Sequence, residues 1–334
     1  MRIAIIGTGT WGTALAQVLV DNGHQVMMYG NSIEQVDDIQ KRHQNTRYFG
    51  ADLFLSPKIK ATTDLAKAVT NRRIILIAVP TNAVRSVLEQ IAPLIAHKVT
   101  IINTAKGFDP STNERMSELI RELIPKENRK AIVSLIGPSH AEEVILRNLT
   151  AITATSLDIR EARLVQKLFS NNYFRVYTNK DEVGAEIGVA MKNAIAIASG
   201  VLAGLGYGDN ARAALITRGL TEMVRFGRAF GGQMKTYLGL TGLGDLIVTC
   251  NSLHSRNFMA GFQIGKDDTS KDFLAKNVAT VEGIRAAKTI YLLAKAKQID
   301  IPIVEAIYRV LYEDAKPSEM IARLMVRPLK AEDE

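Results

Sequence analysis

The sequence predicts an α/β protein: a doubly wound, mostly parallel sheet followed by an all-helical C-terminal part. Three observations predict it. A short apolar run, Ile3–Ile6, leads straight into Gly7, Gly9 and Gly12. Apolar runs of strand length then alternate with amphipathic helical patterns as far as about Asp181. Beyond Asp181 the strand-like runs nearly vanish and helical patterns take over.

The first of these is also the most chemical. Ile3–Ile6 suits a strand buried on both faces. The three glycines have the spacing G-x-G-x-x-G, Thr13–Val20 reads as a helix, and Gln25–Tyr29 as a second strand. That strand–turn–helix–strand context is what a dinucleotide fingerprint requires, so the N-terminal part is expected to be Rossmann-like. Gly7 lets the chain turn out of the strand, Gly9 lets a pyrophosphate approach the backbone, and Gly12 lets helix and strand pack closely. Free N–H groups at the helix start favour the anion. The end of the second strand carries Asn31 where an acidic residue is expected to hold a ribose hydroxyl. A neutral side chain there does not repel a 2′-phosphate, and no arginine beside it attracts one, so NADPH and NADH are both open.

The remaining elements follow in order. Strands are expected at Ile59–Thr63, Arg73–Val79, Val99–Thr104, Ala131–Ile136, Ala151–Thr155 and Phe174–Tyr177. Between them, Asp64 caps a helix, Thr81 opens one running to about Ile95, and Thr112–Leu123 and Ile159–Phe169 are amphipathic. Later helices are expected at Gly184–Gly204, Ala211–Phe230, Phe258–Ile264, Val281–Lys297, Ile303–Tyr312 and Ser318–Leu324. The expected domains are 1–182, binding the dinucleotide, and 183–330, binding substrate and carrying the catalytic group.

Composition narrows the classes. The 334 residues suffice for two domains, and a hydrophobic share of 47% with 23% charged residues is ordinary for a globular protein. The net charge of +8 favours anionic ligands. No basic run is interleaved with aromatics, so nucleic acid is not an expected partner. A single cysteine, Cys250, excludes an internal disulfide, fits a reducing compartment, and reads as a small core residue. Ile3–Ile6 runs straight into the glycine turn, so a signal segment is not expected. The apolar stretch Ala185–Tyr207 is interrupted by Glu186, Lys192 and Asn193, so membrane insertion is not expected. A cytoplasmic protein is expected, and the apolar helical surface of the C-terminal part allows a homodimer.

In an open α/β sheet, ligands bind beyond the carboxyl ends of the strands. Those ends carry Pro80-Thr81-Asn82, Lys106-Gly107 and Gly137-Pro138-Ser139. Lys106 either points into the cleft or snorkels at the surface. Lys192 lies in a helix apolar almost all round, with Gly188, Val189, Ile195 and Ala196 on its face. Burial there lowers a lysine's pKa toward the range useful for proton transfer, the alternative being a structural pair with a buried carboxylate. Asp245, in the turn Gly242-Leu-Gly-Asp245, either holds a hydroxyl or an ammonium, or caps a helix. Ser255-Arg256-Asn257 before a helix offers hydroxyl, amide and guanidinium groups to a phosphate. The histidines have no metal-ligand spacing, so no metal is expected.

Taken together, these stretches resemble the NAD(P)-dependent glycerol-3-phosphate dehydrogenase family, bacterial type. The resemblance spans nearly the whole chain: Gly7–Ala16, Ala105–Gly107, Ile136–Glu143, Lys192-Asn193, Gly206–Ala214, Gly242–Leu246, Ser255–Asn257 and Val281–Gly283. It implies interconversion of dihydroxyacetone phosphate and sn-glycerol 3-phosphate, the phospholipid backbone precursor, with NADPH or NADH. It implies that Thr10, Trp11, Asn31, Lys106, Ala141, Arg256 and Glu282 touch the cofactor. It further implies that Lys106, Gly137, Ser139, Lys192, Asp245, Ser255, Arg256 and Asn257 touch the substrate, with Lys192 as the acid/base. The family often has histidine or arginine where this chain has Asn31. Two other readings use the same architecture: a dehydrogenase of another hydroxy acid or sugar phosphate, and a non-catalytic nicotinamide sensor. A sensor has no need for the set Lys106, Lys192, Asp245 and Arg256.

Overall fold

The computed structural model describes residues 1–276, 280–329 and 331–332; Lys330, where the helical part was expected to end, lies outside them. Eight strands form one sheet: β1 Arg2–Ile6, β2 Gln25–Tyr29, β3 Ile59–Thr62, β4 Ile74–Ile77, β5 Val99–Asn103, β6 Arg129–Ile136, β7 Thr150–Thr155 and β8 Phe174–Asn179. Their spatial order is β3-β2-β1-β4-β5-β6-β7-β8. The strand order reverses between β1 and β4, which is where such a sheet opens a ligand crevice. Every strand residue of β4 and β5 is buried, as a sheet covered on both faces requires.

One pairing breaks the parallel run. β7 lies antiparallel to β6, with Ser134 opposite Thr155, and β8 runs parallel to β7, with Asn179 beside Thr155. The chain therefore leaves the sheet level with the middle of β6 instead of at its carboxyl end. From there the long helix Glu182–Gly204 starts, capped by Asp181, whose Oδ1 accepts Gly184 N at 2.9 Å. The helix climbs along β6 toward the carboxyl ends of the other strands. Its apolar sequence satisfies the length and hydropathy of a membrane span, but 89% of its most apolar window is buried in protein. Helices Asp209–Ala229, Arg256–Asp267, Glu282–Lys297 and Pro302–Tyr312 surround it. Gly200, Gly204, Gly261 and Gly265 are the contact points: a Cβ on any of them would strike the facing backbone.

Several expected boundaries shift, for local reasons. The helix expected at Thr112–Leu123 begins at Met116, because Asp109 Oδ2 holds Thr112 N at 3.1 Å and Asn113 adopts a left-handed φ of 60°. The helix from Thr81 ends as α at Ile91 and tightens to a 3₁₀ turn over Ala92–Leu94, where Pro93 has no N–H to continue the ladder. The helix expected from Phe258 begins at Arg256, with Ser255 as its cap. The glycine-rich segment around Asp245 is helical: a π turn at Leu240–Gly244 runs into an α-helix at Asp245–Asn251. Short helices at Ile33–Asp37, Thr46–Phe49, Met234–Tyr237 and Lys271–Lys276 had no counterpart in the sequence reading.

Candidate functional site

The β1 turn has the geometry its glycines predict. Gly7 has a φ of +121°, and a Cβ there would run into the Ala78 carbonyl. A Cβ on Gly12 would lie 2.5 Å from Gly7 O, so the helix Thr10–Asp21 could not pack so close. Gly9 faces open space, with nothing within 4 Å of where its Cβ would be. That is a cradle whose floor a side chain would fill, and it stands at a helix N-terminus. Trp11 follows, with a buried indole Nε1 that has no hydrogen-bond partner. This turn fits the pyrophosphate of a dinucleotide. Asn31 is exposed, just past β2.

Lys106 leaves the end of β5. Its Nζ donates to Gly137 O at 2.7 Å and to Asp245 Oδ2 at 2.9 Å, so it points inward and does not snorkel. Gly137 adopts a φ of +149°, where a Cβ would meet Ile152 Cα at 3.1 Å. Its carbonyl also accepts Ser139 Oγ at 3.1 Å. Ala141 is buried as the first residue of the helix Ala141–Ile145.

Lys192 lies deep in the long helix and is 5% exposed. Its Nζ donates to Asp245 Oδ1 at 2.7 Å and to Thr249 Oγ1 at 2.7 Å. The pairing is not merely structural in placement, since Lys192 also lines the polar cavity described below. Burial lowers the Lys192 pKa to about 8; Asp245 pulls it upward and the Lys106 ammonium pushes it down further. Burial opposes ionisation of Asp245, but the two neighbouring ammoniums prevail and hold its carboxyl below the usual carboxylate range. Asp245 is not a helix cap: Gly244 occupies that position, and both carboxylate oxygens serve the lysines.

A chain of amides crosses from the sheet to the helices. Asn193 Nδ2 donates to Lys106 O at 3.1 Å, Asn257 Nδ2 donates to Asn193 Oδ1 at 2.9 Å, and Asn257 Oδ1 accepts Gly283 N at 2.8 Å. Asn257 thus braces the site through its side chain. Ser255 Oγ accepts Phe258 N at 3.2 Å and keeps its proton free to donate. Arg256 is exposed beside it. Glu282 accepts Thr81 N at 3.3 Å and the Thr81 hydroxyl, tying the loop after β4 to the helix Glu282–Lys297.

These groups converge on a polar cavity of about 150 Å³. Ser139, Lys192, Asn193, Asp245, Thr249, Ser255, Arg256, Asn257 and Glu282 line it, with His140 and His254. The two imidazole rings lie 5.8 Å apart, tilted by 54°, and burial, with Lys192 and Lys106, holds His140 below its ordinary value. An anion entering there meets Lys192 and Arg256, and a carbonyl meets an ammonium set to release a proton. The glycine turn, Asn31, Lys106, Gly137 and Ala141 lie outside this cavity's lining, with Lys106 reaching it only through its bond to Asp245. Thr249 was not singled out from the sequence; it sits one helical turn after Asp245, a relation visible only once that segment is read as helix. Among the described residues, no group of three or more His, Cys, Asp or Glu side chains is placed to hold a metal ion.

Comparison with known proteins places the chain in one family. Residues 2–162 match the family model for the NAD-dependent glycerol-3-phosphate dehydrogenase N-terminus, and residues 181–322 match that for its C-terminus. The chain is 49% identical over 333 residues to a glycerol-3-phosphate dehydrogenase [NAD(P)+] of Streptococcus uberis, covering 100% of this chain and 98% of the relative. It is 47% identical, with the same coverage, to one of Enterococcus faecalis. A crystal structure of glycerol-3-phosphate dehydrogenase from Coxiella burnetii superposes with a TM-score of 0.91 at 35% identity, covering 98% of this chain and 99% of that one.

Proposed function

The chain belongs to the NAD(P)-dependent glycerol-3-phosphate dehydrogenase family, and from that premise we propose that it reduces dihydroxyacetone phosphate to sn-glycerol 3-phosphate, with Lys192 as the proton donor. The observation that carries this reading is the buried Lys192 ammonium, held by Asp245 in a cavity that Arg256 borders. The product is the precursor of the glycerophospholipid backbone.

Each residue has a part in the mechanism. Arg256, Ser255 and the N-terminal N–H groups of the helix Arg256–Asp267 bind the phosphate. Lys106 and Lys192 polarise the C2 carbonyl, and Asp245 fixes both ammoniums before substrate arrives. Lys192 gives its proton to the carbonyl oxygen, and in the reverse direction takes the proton of the C2 hydroxyl. Gly7, Gly9, Thr10, Trp11 and Gly12 hold the dinucleotide pyrophosphate, while Asn31, Lys106, Ala141, Arg256 and Glu282 complete its site. When bound, the reduced dinucleotide supplies the hydride for C2.

The sheet part, 1–182, and the helical part, 183–330, act as cofactor-binding and substrate-binding domains in this reading, and the protein works in the cytoplasm. A homodimer through the helical part is also proposed. The helices Asp209–Ala229, Pro302–Tyr312 and Pro317–Met325 border an apolar groove of about 690 Å³, and Met325, Val326 and Leu329 are exposed next to it. Light scattering on the purified protein tests this; a monomer at micromolar concentration overturns it.

The reaction is tested by following reduced-nicotinamide absorbance with dihydroxyacetone phosphate, using NADH and NADPH in parallel. Rapid oxidation is expected, and the ratio of the two rates reports what Asn31 selects. Cofactor binding without turnover of this substrate overturns the proposal and directs attention to other hydroxy compounds.

A further inference from the structure

The face of the long helix that meets the sheet carries more than Lys192. Glu182, Ala185, Glu186, Val189, Lys192 and Asn193 recur at helical spacing, and all six are buried. Ala185 and Val189 pack against Ile136 at the end of β6. Between these two in the helix, Glu186 is 4% exposed, and its side-chain partners belong to the sheet part. Its carboxylate accepts Ser117 N at 3.0 Å, Ser117 Oγ at 2.7 Å, Ser134 Oγ at 3.2 Å and Arg115 Nη1 at 3.1 Å. Glu182, one turn earlier, accepts Arg121 Nη2 at 2.6 Å.

We propose that Glu186 is a positioning residue for Lys192: it fixes the height of the long helix on β6 and thereby sets where the lysine ammonium stands relative to Asp245 and Lys106. The inference rests on the reading of Lys192 as proton donor. Two lengths support it. From Glu186 to Lys192 the helix rises about 9 Å, and from Ser134 to Gly137 the strand advances about 10 Å. The two spans are of similar length. Glu186 meets Ser134 at the lower end, and Lys106, bonded to Gly137 O and to Asp245, marks the upper one.

The apolar contact beside Glu186, Ala185 and Val189 against Ile136, carries no directional bond. The bonds to the buried carboxylate are directional. A carboxylate is also a costly choice for mere packing: burial and the nearby Glu182 push its pKa up to about 7, with Arg115 pulling it back. A displacement of about 1 Å at a reacting group can cost on the order of 10²-fold in rate.

The test compares Glu186→Gln with Glu222→Gln in the full chain. Glu222 is an equally buried anchor outside the lining of the polar cavity: it accepts Ile303 N at 2.6 Å and Val304 N at 3.2 Å, joining two helices of the C-terminal part. Three quantities are read: kcat for dihydroxyacetone phosphate, the Kd of NADPH, and the pH midpoint of Lys192, taken from its acylation rate by acetic anhydride with mass spectrometry. Glu186→Gln is expected to lower kcat about 10- to 100-fold, leave the Kd within about twofold, and move the Lys192 midpoint by at least about 0.5 pH unit. Glu222→Gln is expected to lower Tm without moving the midpoint. If Glu186→Gln does not fold, Ser134→Ala, which removes one donor from the carboxylate, is expected to move the midpoint instead. An unmoved midpoint in the folded variant, or an equal movement in Glu222→Gln, overturns the positioning role. The midpoint needs no substrate, so a wild-type protein inactive on dihydroxyacetone phosphate overturns the proposed reaction alone.

Discussion

Lys192 and Asp245, 53 residues apart in the chain, meet at 2.7 Å with both side chains buried. The same carboxylate holds Lys106 on its other oxygen. Asp245→Asn leaves two ammoniums facing each other around a neutral amide. Stability is expected to fall by about 3–5 kcal/mol, the usual cost of breaking a buried pair by removing one partner. Chemical denaturation at pH 7 measures it; a loss below about 1 kcal/mol would mean the pair is not desolvated in solution.

The pH dependence has a definite sign. Reduction needs Lys192 protonated, and its pKa lies near 8. The rate of dihydroxyacetone phosphate reduction is therefore expected to fall as pH rises through about 8, while glycerol 3-phosphate oxidation rises through the same range. Opposite limbs in the two directions identify one group serving as acid and base. Limbs of the same sign count against Lys192 in that role.

Lys192→Ala is expected to reduce kcat at least about 10²-fold, the lower range for a general acid. NADPH binding, followed by fluorescence, is expected to persist, because the glycine turn lies outside the cavity that Lys192 lines. Near-normal turnover in this variant would sink the assignment. Arg256→Ala is expected to raise KM for the phosphorylated substrate, by about 10-fold or more if a charge-assisted contact is lost. An unchanged KM argues against the phosphate cradle.

Two glycines of one turn are expected to respond in opposite ways. Gly12→Ala places a Cβ 2.5 Å from Gly7 O, so Tm drops. Gly9→Ala meets nothing within 4 Å, so Tm holds, yet dinucleotide Kd rises, by about 10-fold or more, because the methyl occupies the approach to the backbone. Thermal melts with and without NADPH separate the two.

Cys250 is fully buried, and burial pushes its thiol up to about 12, against a smaller downward pull from Lys192. In the native protein it is expected to resist thiol reagents at pH 8 and to react once unfolded. Fast labelling of native protein would show that the core around Cys250, whose carbonyl accepts Ser199 Oγ at 2.9 Å, opens readily.

What could be read from the sequence was whatever local spacing dictates. The close packing at Gly7 and Gly12 and the buried character of Lys192 follow from short patterns, because strand ends and helix faces are local properties, whereas the direction of Lys106, open in the sequence, is fixed by its bonds to Gly137 and Asp245. What stayed hidden depends on which faces meet across the chain. Thr249 became a partner of Lys192 only when the segment after Gly244 folded as helix. Asn257, placed by motif against the phosphate, turns its amide to Asn193 and Gly283. Glu186 looked like an interruption of an apolar stretch; its donors, Ser117, Ser134 and Arg115, come from two distant elements with no sequence signal linking them to it.

The antiparallel β6–β7 pairing makes the protein intolerant of miscounting. Because the chain quits the sheet level with Ser134, the lysine reaches the strand ends only by counting residues up a helix. One residue inserted or deleted between Glu186 and Lys192 swings everything beyond it by about 100° and shifts it by about 1.5 Å. The loop tip between the Ala141–Ile145 helix and β7 bears no such arithmetic. Length variation among natural or engineered versions of this chain is therefore expected in the loops and excluded from this short stretch of helix, and a library of single-residue insertions scored for growth would map the boundary.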